Sequence, residues 1–415
     1  MSSVSWARNL RWTLVGELAG KGAIFTSNIM VARELGVAGF GIYSSAQAIA
    51  AYIWILADLG VGFYGTREVA KSEEQRRQII SSLFTLRLLA GLFATAIGLT
   101  GVTLWFSGVA RIAYAIAIIQ VLFLALTLDW ALRGLQTFRA LSSVNVLGGL
   151  VLLLGSLTVF SLTIDAQEKI ILFLLVWVIS QAVIAVASIA VIVSKTEKWI
   201  ALTFSGLLGH LKFTIYFAIS TGLVAAAQYL PIPSLNQIIG SEAAGIFSAP
   251  YRLVLTIITA VYMLISSTYP ILAKCSIANP REFGAQFFKT RNIVLVIALT
   301  LSACLMLMAD QIVYLLYGAA YSASGPLLLL LSILIPLVSI RAVYGTALLA
   351  IGAERMHLVG SVSGFMLWIF VGLPLINSVG VTGAVWACIF SEMAVVVGMI
   401  WAFTRISTSK FGIRM

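Results

Sequence analysis

The chain has 415 residues, 61% of them hydrophobic and 10% charged. Soluble domains carry about 25% charge, so a water-soluble globular class is excluded. The formal net charge is +11, but the basic residues lie in short loops between apolar segments, where they set topology rather than mark a nucleic-acid surface.

A membrane-spanning helix needs about 20 mostly apolar residues, and twelve such segments follow one another. The first, 10–32, is preceded by Arg8 and Arg11 and contains Glu17 and Lys21. These two are four residues apart on one helix face, where they can pair. No small-residue cleavage site follows, so a retained helix rather than a removed leader is expected. The second segment, 40–62, carries Asp58 near its end. The third, 79–106, contains Arg87, and the fourth, 112–132, contains Asp129. Segments 141–163 and 169–193 complete a first half. The seventh, 207–235, includes Pro231 and Pro233, which free backbone carbonyls and bend a helix, a place for a hinge or a static kink. The eighth, 243–272, holds Arg252. After 291–309, the tenth, 325–350, holds Arg341 beyond Pro336. The eleventh is 357–376, and the twelfth, 381–403, holds Glu392 near its middle. Strand-type alternation is absent, which argues against an outer-membrane barrel.

Placing the amino terminus in the cytoplasm tests this count. Nineteen of the 26 Lys and Arg residues then fall in cytoplasmic segments, and only Arg33, Arg111 and Lys169 fall on the other side. The remaining four lie inside spans. The asymmetry holds for every loop pair and places both termini in the cytoplasm.

Eight ionisable residues thus sit within membrane-length segments: Glu17, Lys21, Asp58, Arg87, Asp129, Arg252, Arg341 and Glu392. Exposed to lipid, they would cost about 20–28 kcal/mol together, at about 2.5–3.5 kcal/mol each. They are therefore expected to face one another or an aqueous cavity, which points to transport. Glu392 has no neighbour in sequence to neutralise it, so it must pair across helices, with Arg341 as the candidate, or be protonated. Proton or sodium coupling at such a carboxylate stays open, and no other cofactor is expected. Cys275, Cys304 and Cys388 are scattered packing residues, and His210 and His357 sit at helix ends, so no metal site is expected. No Ser/His/Asp set, phosphate-binding glycine loop or large extramembrane loop is present, so no catalytic residues are assigned.

The two halves share a repeat. Leu35-Gly-Val-Ala-Gly-Phe-Gly-Ile-Tyr-Ser-Ser aligns with Ile239-Gly-Ser-Glu-Ala-Ala-Gly-Ile-Phe-Ser-Ala, pairing Gly36 with Gly240, Gly41 with Gly245 and Ser44 with Ser248. Each copy joins the first and second helices of its half. Even-numbered halves have the same orientation, so the repeat is parallel.

These residues also carry a family resemblance. Val31-Ala-Arg-Glu-Leu-Gly, Ala57-Asp-Leu-Gly-Val-Gly and Thr66-Arg-Glu-Val-Ala resemble the Wzx-type polysaccharide (O-antigen) flippases. So do Arg133-Gly-Leu-Gln-Thr-Phe-Arg, Leu349-Ala-Ile-Gly-Ala-Glu-Arg and Gly380-Val-Thr-Gly-Ala-Val-Trp-Ala. Their order and spacing are those of the multidrug/oligosaccharidyl-lipid/polysaccharide exporter superfamily. The resemblance implies an all-α polytopic membrane protein of twelve helices in two six-helix lobes, 1–200 and 201–415, around a central cavity with alternating access. It also implies a cargo of undecaprenyl-diphosphate-linked oligosaccharide, moved between leaflets of the bacterial inner membrane. Membrane lipids, and a polysaccharide polymerase complex as a candidate partner, go with that reading. In lipid II flippases of the superfamily, arginines of the first and eighth helices line the cavity, and Arg33 and Arg252 match those positions by resemblance. A diphosphate needs cationic contacts, and arginine gives bidentate ones. The candidate substrate-binding residues are accordingly Arg252, Arg341, Lys21, Arg33 and Arg87. The candidates for ion coupling or ion pairing are Glu392, Glu17, Asp58 and Asp129. A cation-coupled exporter of small drugs is the alternative, and it would present carboxylates in an otherwise apolar cavity.

Overall fold

The computed structural model describes residues 3–71, 75–196, 201–204, 206–278, 280–351 and 353–411. Among them the chain is helical, with no β-strand. It divides into two compact units, Met1–Ala225 and Ala226–Met415.

The first unit opens with α1 (Ser3–Asp58), which is interrupted at Gly36, with φ 63° and ψ −176°. The apolar stretch Ala19–Asp58 covers 40 residues. Straight, it would run about 60 Å at 1.5 Å per residue, twice the hydrocarbon thickness of a bilayer. The break at Gly36 turns it into two spans, and that backbone region is essentially reserved for glycine. A left-handed turn at Leu59 and Gly60 (φ 47° and 76°) leads into α2 (Val61–Lys71). Then come α3 (Arg76–Trp105), α4 (Gly108–Leu126), the short α5 (Asp129–Gly134), α6 (Phe138–Ser161) and α7 (Ala166–Thr196). One end of this unit is built on α2, α3 and α5: Val61, Val69, Leu83, Trp130 and Leu132 are fully buried together. Close approach is needed there, since a Cβ at Gly65 would lie 2.4 Å from the Trp130 ring. The Thr66 hydroxyl ties α2 to α5 by donating to the Trp130 carbonyl at 3.1 Å.

The next helix, α8 (Leu207–Tyr229), reaches the boundary between the units. Residues of this region make specific contacts with the first unit. The Thr203 amide donates to the Thr85 hydroxyl at 2.9 Å. The two nitrogens of His210 lie 3.3 Å from the Tyr64 hydroxyl and 3.1 Å from that of Ser82.

In the second unit, α9 (Pro231–Ile238) begins where Pro231 ends the helical run of α8, and Gly240 (φ 132°) precedes α10 (Ser241–Ala278). Then follow α11 (Pro280–Leu307), α12 (Ala309–Tyr317), α13 (Ser324–Leu331), α14 (Leu334–Ala350), α15 (Glu354–Leu367), a π-helical turn Trp368–Gly372, α16 (Leu373–Val379) and α17 (Val381–Phe411). The π turn adjoins Pro374, whose ring cannot accommodate a regular i−4 bond. Phe287, Tyr344 and Phe403 form the aromatic centre of this unit: Phe287 stacks on Phe403 at 4.4 Å and meets Tyr344 edge-on at 5.2 Å, arrangements that the ring quadrupoles favour.

Among the described residues, ten helices are long and apolar enough to cross a bilayer. The first contains two of the expected spans, joined at Gly36. The expected span 207–235 is shared between α8 and α9 and is not one of the ten.

Candidate functional site

Most of the intramembrane charges are gathered into clusters, each inside one unit. In the first unit, Arg87 of α3 is 2% exposed. Its guanidinium lies 3.0 Å from Asp58 at the end of α1 and 3.6 Å from Asp129 at the start of α5. It donates to the Thr127 carbonyl at 2.8 Å and lies 4.5 Å from the centre of the Trp54 ring. Asp58 also accepts from the Gly62 amide at 3.4 Å, at the start of α2. One cation is therefore shared by two carboxylates, and Arg133 stands 3.9 Å from the second of them. The candidates Arg87, Asp58 and Asp129 thus form one group that fixes three helices. At the other end of this unit, Lys169 of α7 pairs with Glu34, while the neighbouring candidate Arg33 is exposed.

In the second unit, Arg341 of α14 donates through Nε to Glu392 of α17 at 2.8 Å. Tyr262 of α10 is hydrogen-bonded to the same guanidinium. A pair of lone opposite charges is therefore joined across two helices, with a tyrosine as third member. Arg252 of α10 is half-buried, with Tyr229 and Tyr317 within electrostatic reach. The Tyr317 hydroxyl donates to the Ala249 carbonyl at 2.9 Å, one turn before Arg252. Arg252 and Arg341 both belong to α10 or its packing partner α14, but the structure gives them different neighbours.

Lys21 is placed differently. It lines a cavity of about 210 Å³ between α1, α6 and α7, together with Arg133, Asn145, Trp177, Ser180 and Gln181. The side chain of Glu17 lies outside the described residues, so its pairing with Lys21 stays an expectation. Sequence reasoning missed Asn145 and Gln181. The available signal was a lone amide inside an otherwise apolar helix, since such groups are costly in a membrane unless they serve a contact. It also missed the Glu34–Lys169 pair, because Lys169 reads as a loop-edge cation. Among the described residues no group of His, Cys, Asp and Glu could hold a metal ion.

Residues 6–276 match the family model described as "Polysaccharide biosynthesis protein". The chain belongs to this family. A relative with a curated description, the EPS I polysaccharide export inner membrane protein EpsE of Ralstonia nicotianae, is 23% identical over 321 residues, covering 74% of this chain and 72% of EpsE. Among solved structures, a multidrug resistance MATE family transporter of the MOP superfamily, in an inward-facing conformation, superposes with a TM-score of 0.76 at 16% identity, covering 95% of this chain and 98% of the transporter. The lipid II flippase MurJ in an inward closed conformation gives a TM-score of 0.76 at 13% identity, covering 99% of this chain and 91% of MurJ. The family member thus shares the fold of these solved structures. It is a polytopic helical membrane protein.

Proposed function

We propose that this family member is a flippase for undecaprenyl-diphosphate-linked oligosaccharide, of the O-antigen repeat-unit type, moving it from the cytoplasmic to the periplasmic leaflet of the bacterial inner membrane by alternating access. The observation that carries the reading is the family match over residues 6–276 in a chain with this transporter fold. The export role in the EpsE name supports a polysaccharide cargo. The second reading, a cation-coupled drug exporter, needs carboxylates available to a cation. Asp58, Asp129 and Glu392 instead lie within ion-pairing distance of arginines, which favours the first.

In this reading Arg252 contacts the diphosphate. Its guanidinium can give bidentate hydrogen bonds to phosphate oxygens. Deleting the gene in the source bacterium should remove the polymer ladder of the lipopolysaccharide and leave lipid-linked single units on the cytoplasmic side. Complementation should restore the ladder. The Arg252→Ala variant should fail to restore it while reaching the membrane at a normal level, and Arg252→Lys should restore it in part, since charge is kept and bidentate geometry lost. An unchanged ladder in the deletion, with capsule and exopolysaccharide also unchanged, would overturn the assignment. Full export by Arg252→Ala would remove Arg252 from it.

A further inference from the structure

His210 lies outside the charge clusters, in the first turn of α8, and is half-buried. Its ring bridges two other helices of the first unit. Nδ1 is 3.3 Å from the Tyr64 hydroxyl of α2, and Nε2 is 3.1 Å from the Ser82 hydroxyl of α3. The Tyr64 ring also meets the imidazole edge-on at 5.8 Å. On either side of His210 in sequence, Leu207 and Leu211 pack against the core of this end of the unit. One imidazole in an apolar seat therefore joins the start of α8 to α2 and α3.

The hydrogen bonds select a neutral ring. A neutral imidazole has one donor and one acceptor nitrogen, whereas imidazolium has two donors. The Ser82 hydroxyl gives its proton to the Ile79 carbonyl at 3.2 Å, so it accepts from Nε2–H. Nδ1 is then the acceptor for the Tyr64 hydroxyl. The tautomer is assigned from these partners. A proton added at Nδ1 removes that acceptor and sets an N–H against the phenol O–H.

The surrounding charges oppose a further cation. On α2, Glu68 is within electrostatic reach of His210, but it is already engaged by Arg67 at 3.1 Å and Lys71 at 3.2 Å. Helix α3 contains no Asp or Glu and begins with Arg76 and Arg77. On α5, Asp129 stands between Arg87 and Arg133. The last turn of α7 carries Lys195, and α8 itself carries Lys212. Among the described residues, cations therefore outnumber carboxylates on the elements around this ring.

We propose that His210 is a pH-sensitive clasp: neutral, it pins the start of α8 to α2 and α3, and protonation releases it. The clasp is closed above the ordinary imidazole value, about 6.5, and opens as the pH falls below it. Helix α8 leads the chain toward the end of the first unit, so opening the clasp changes how freely that helix moves during transport. Only this consequence for transport rests on the flippase reading.

The test is hydrogen–deuterium exchange of the purified full-length protein in nanodiscs at about pH 7.5 and about pH 5.5, either side of the ordinary imidazole value. Rates are corrected for the intrinsic pH dependence of exchange. Wild-type amides at the start of α8 should lose protection several-fold at the lower pH. His210→Gln keeps a donor and an acceptor but cannot titrate there, so its protection should be the same at both. Tyr64→Phe keeps the histidine and removes its partner. Its amides should exchange fast already at the higher pH, with a smaller step, and it decides the matter if His210→Gln fails to fold. The chain has two histidines, so nitrogen-15 NMR of His357→Gln reads His210 alone and should show the Nε2–H tautomer at the higher pH. No step in wild type, or a full step in folded His210→Gln or Tyr64→Phe, would overturn the clasp. Transfer of a lipid-linked sugar in liposomes held at the two pH values should change several-fold in wild type and not in His210→Gln. A transfer rate indifferent to an observed step would overturn its link to transport. Absence of transfer at both values, with the step present, would overturn the flippase reading and leave the clasp standing.

Discussion

Arg341 and Glu392 illustrate what a membrane interior demands of an ion. Their side chains are 10% and 25% exposed, and one direct contact joins them. Removing one member leaves the other buried and uncompensated. Arg341→Met should therefore cost toward the lower end of about 3–5 kcal/mol, because Glu392 keeps some access to solvent. Arg341→Met combined with Glu392→Gln should recover most of that loss, since the charge left behind is gone. Thermal unfolding of the four proteins in one detergent checks this, and additive losses would contradict a mutual pair. This contact was legible in the sequence because each residue is a lone charge near mid-span, and opposite lone charges in a membrane seek each other. The grouping of Arg87 with both Asp58 and Asp129 was not legible. The three residues were visible, but no spacing rule links helices so far apart in the chain.

At the level of helices, the repeat found by comparing Leu35–Ser45 with Ile239–Ala249 has a structural counterpart. Both aligned glycines have positive φ, 63° at Gly36 and 132° at Gly240. Ser44 and Ser248, eight residues later, are both fully buried. Each copy places a positive-φ glycine between two helical runs, α1 breaking at Gly36 and α9 giving way to α10 around Gly240. A Cβ at Gly36 would meet nothing within 4 Å, so Gly36→Ala introduces backbone strain alone. It should destabilise the protein by about 1–3 kcal/mol, seen as a lower unfolding temperature at unchanged core packing. A melting temperature equal to wild type would show that the junction tolerates an L side chain. The motif residues that carried the resemblance turn out to be mostly of this architectural kind. Thr66 ties α2 to Trp130, and Asp58 accepts from the Gly62 amide at the start of α2 while holding Arg87. Family likeness was readable early because packing constraints of this sort fix residue types in a fixed order.

For the molecule as a whole, hydropathy and loop charge were enough to give a polytopic helical protein, since the hydrocarbon core admits little else. Thr203 and His210 make polar contacts to the first unit, and Leu207 and Leu211 pack against its core. The central claim is that this chain moves a lipid-linked glycan between leaflets. It is tested most directly by reconstituting the purified full-length protein in liposomes that carry a fluorescent undecaprenyl-diphosphate-linked sugar, and following the fraction accessible to an impermeant quencher. The account requires protein-dependent transfer that is strongly reduced in Arg252→Ala. Accessibility no different from protein-free liposomes, in a preparation that binds the same lipid and keeps its fold, under both a proton and a sodium gradient, would contradict it.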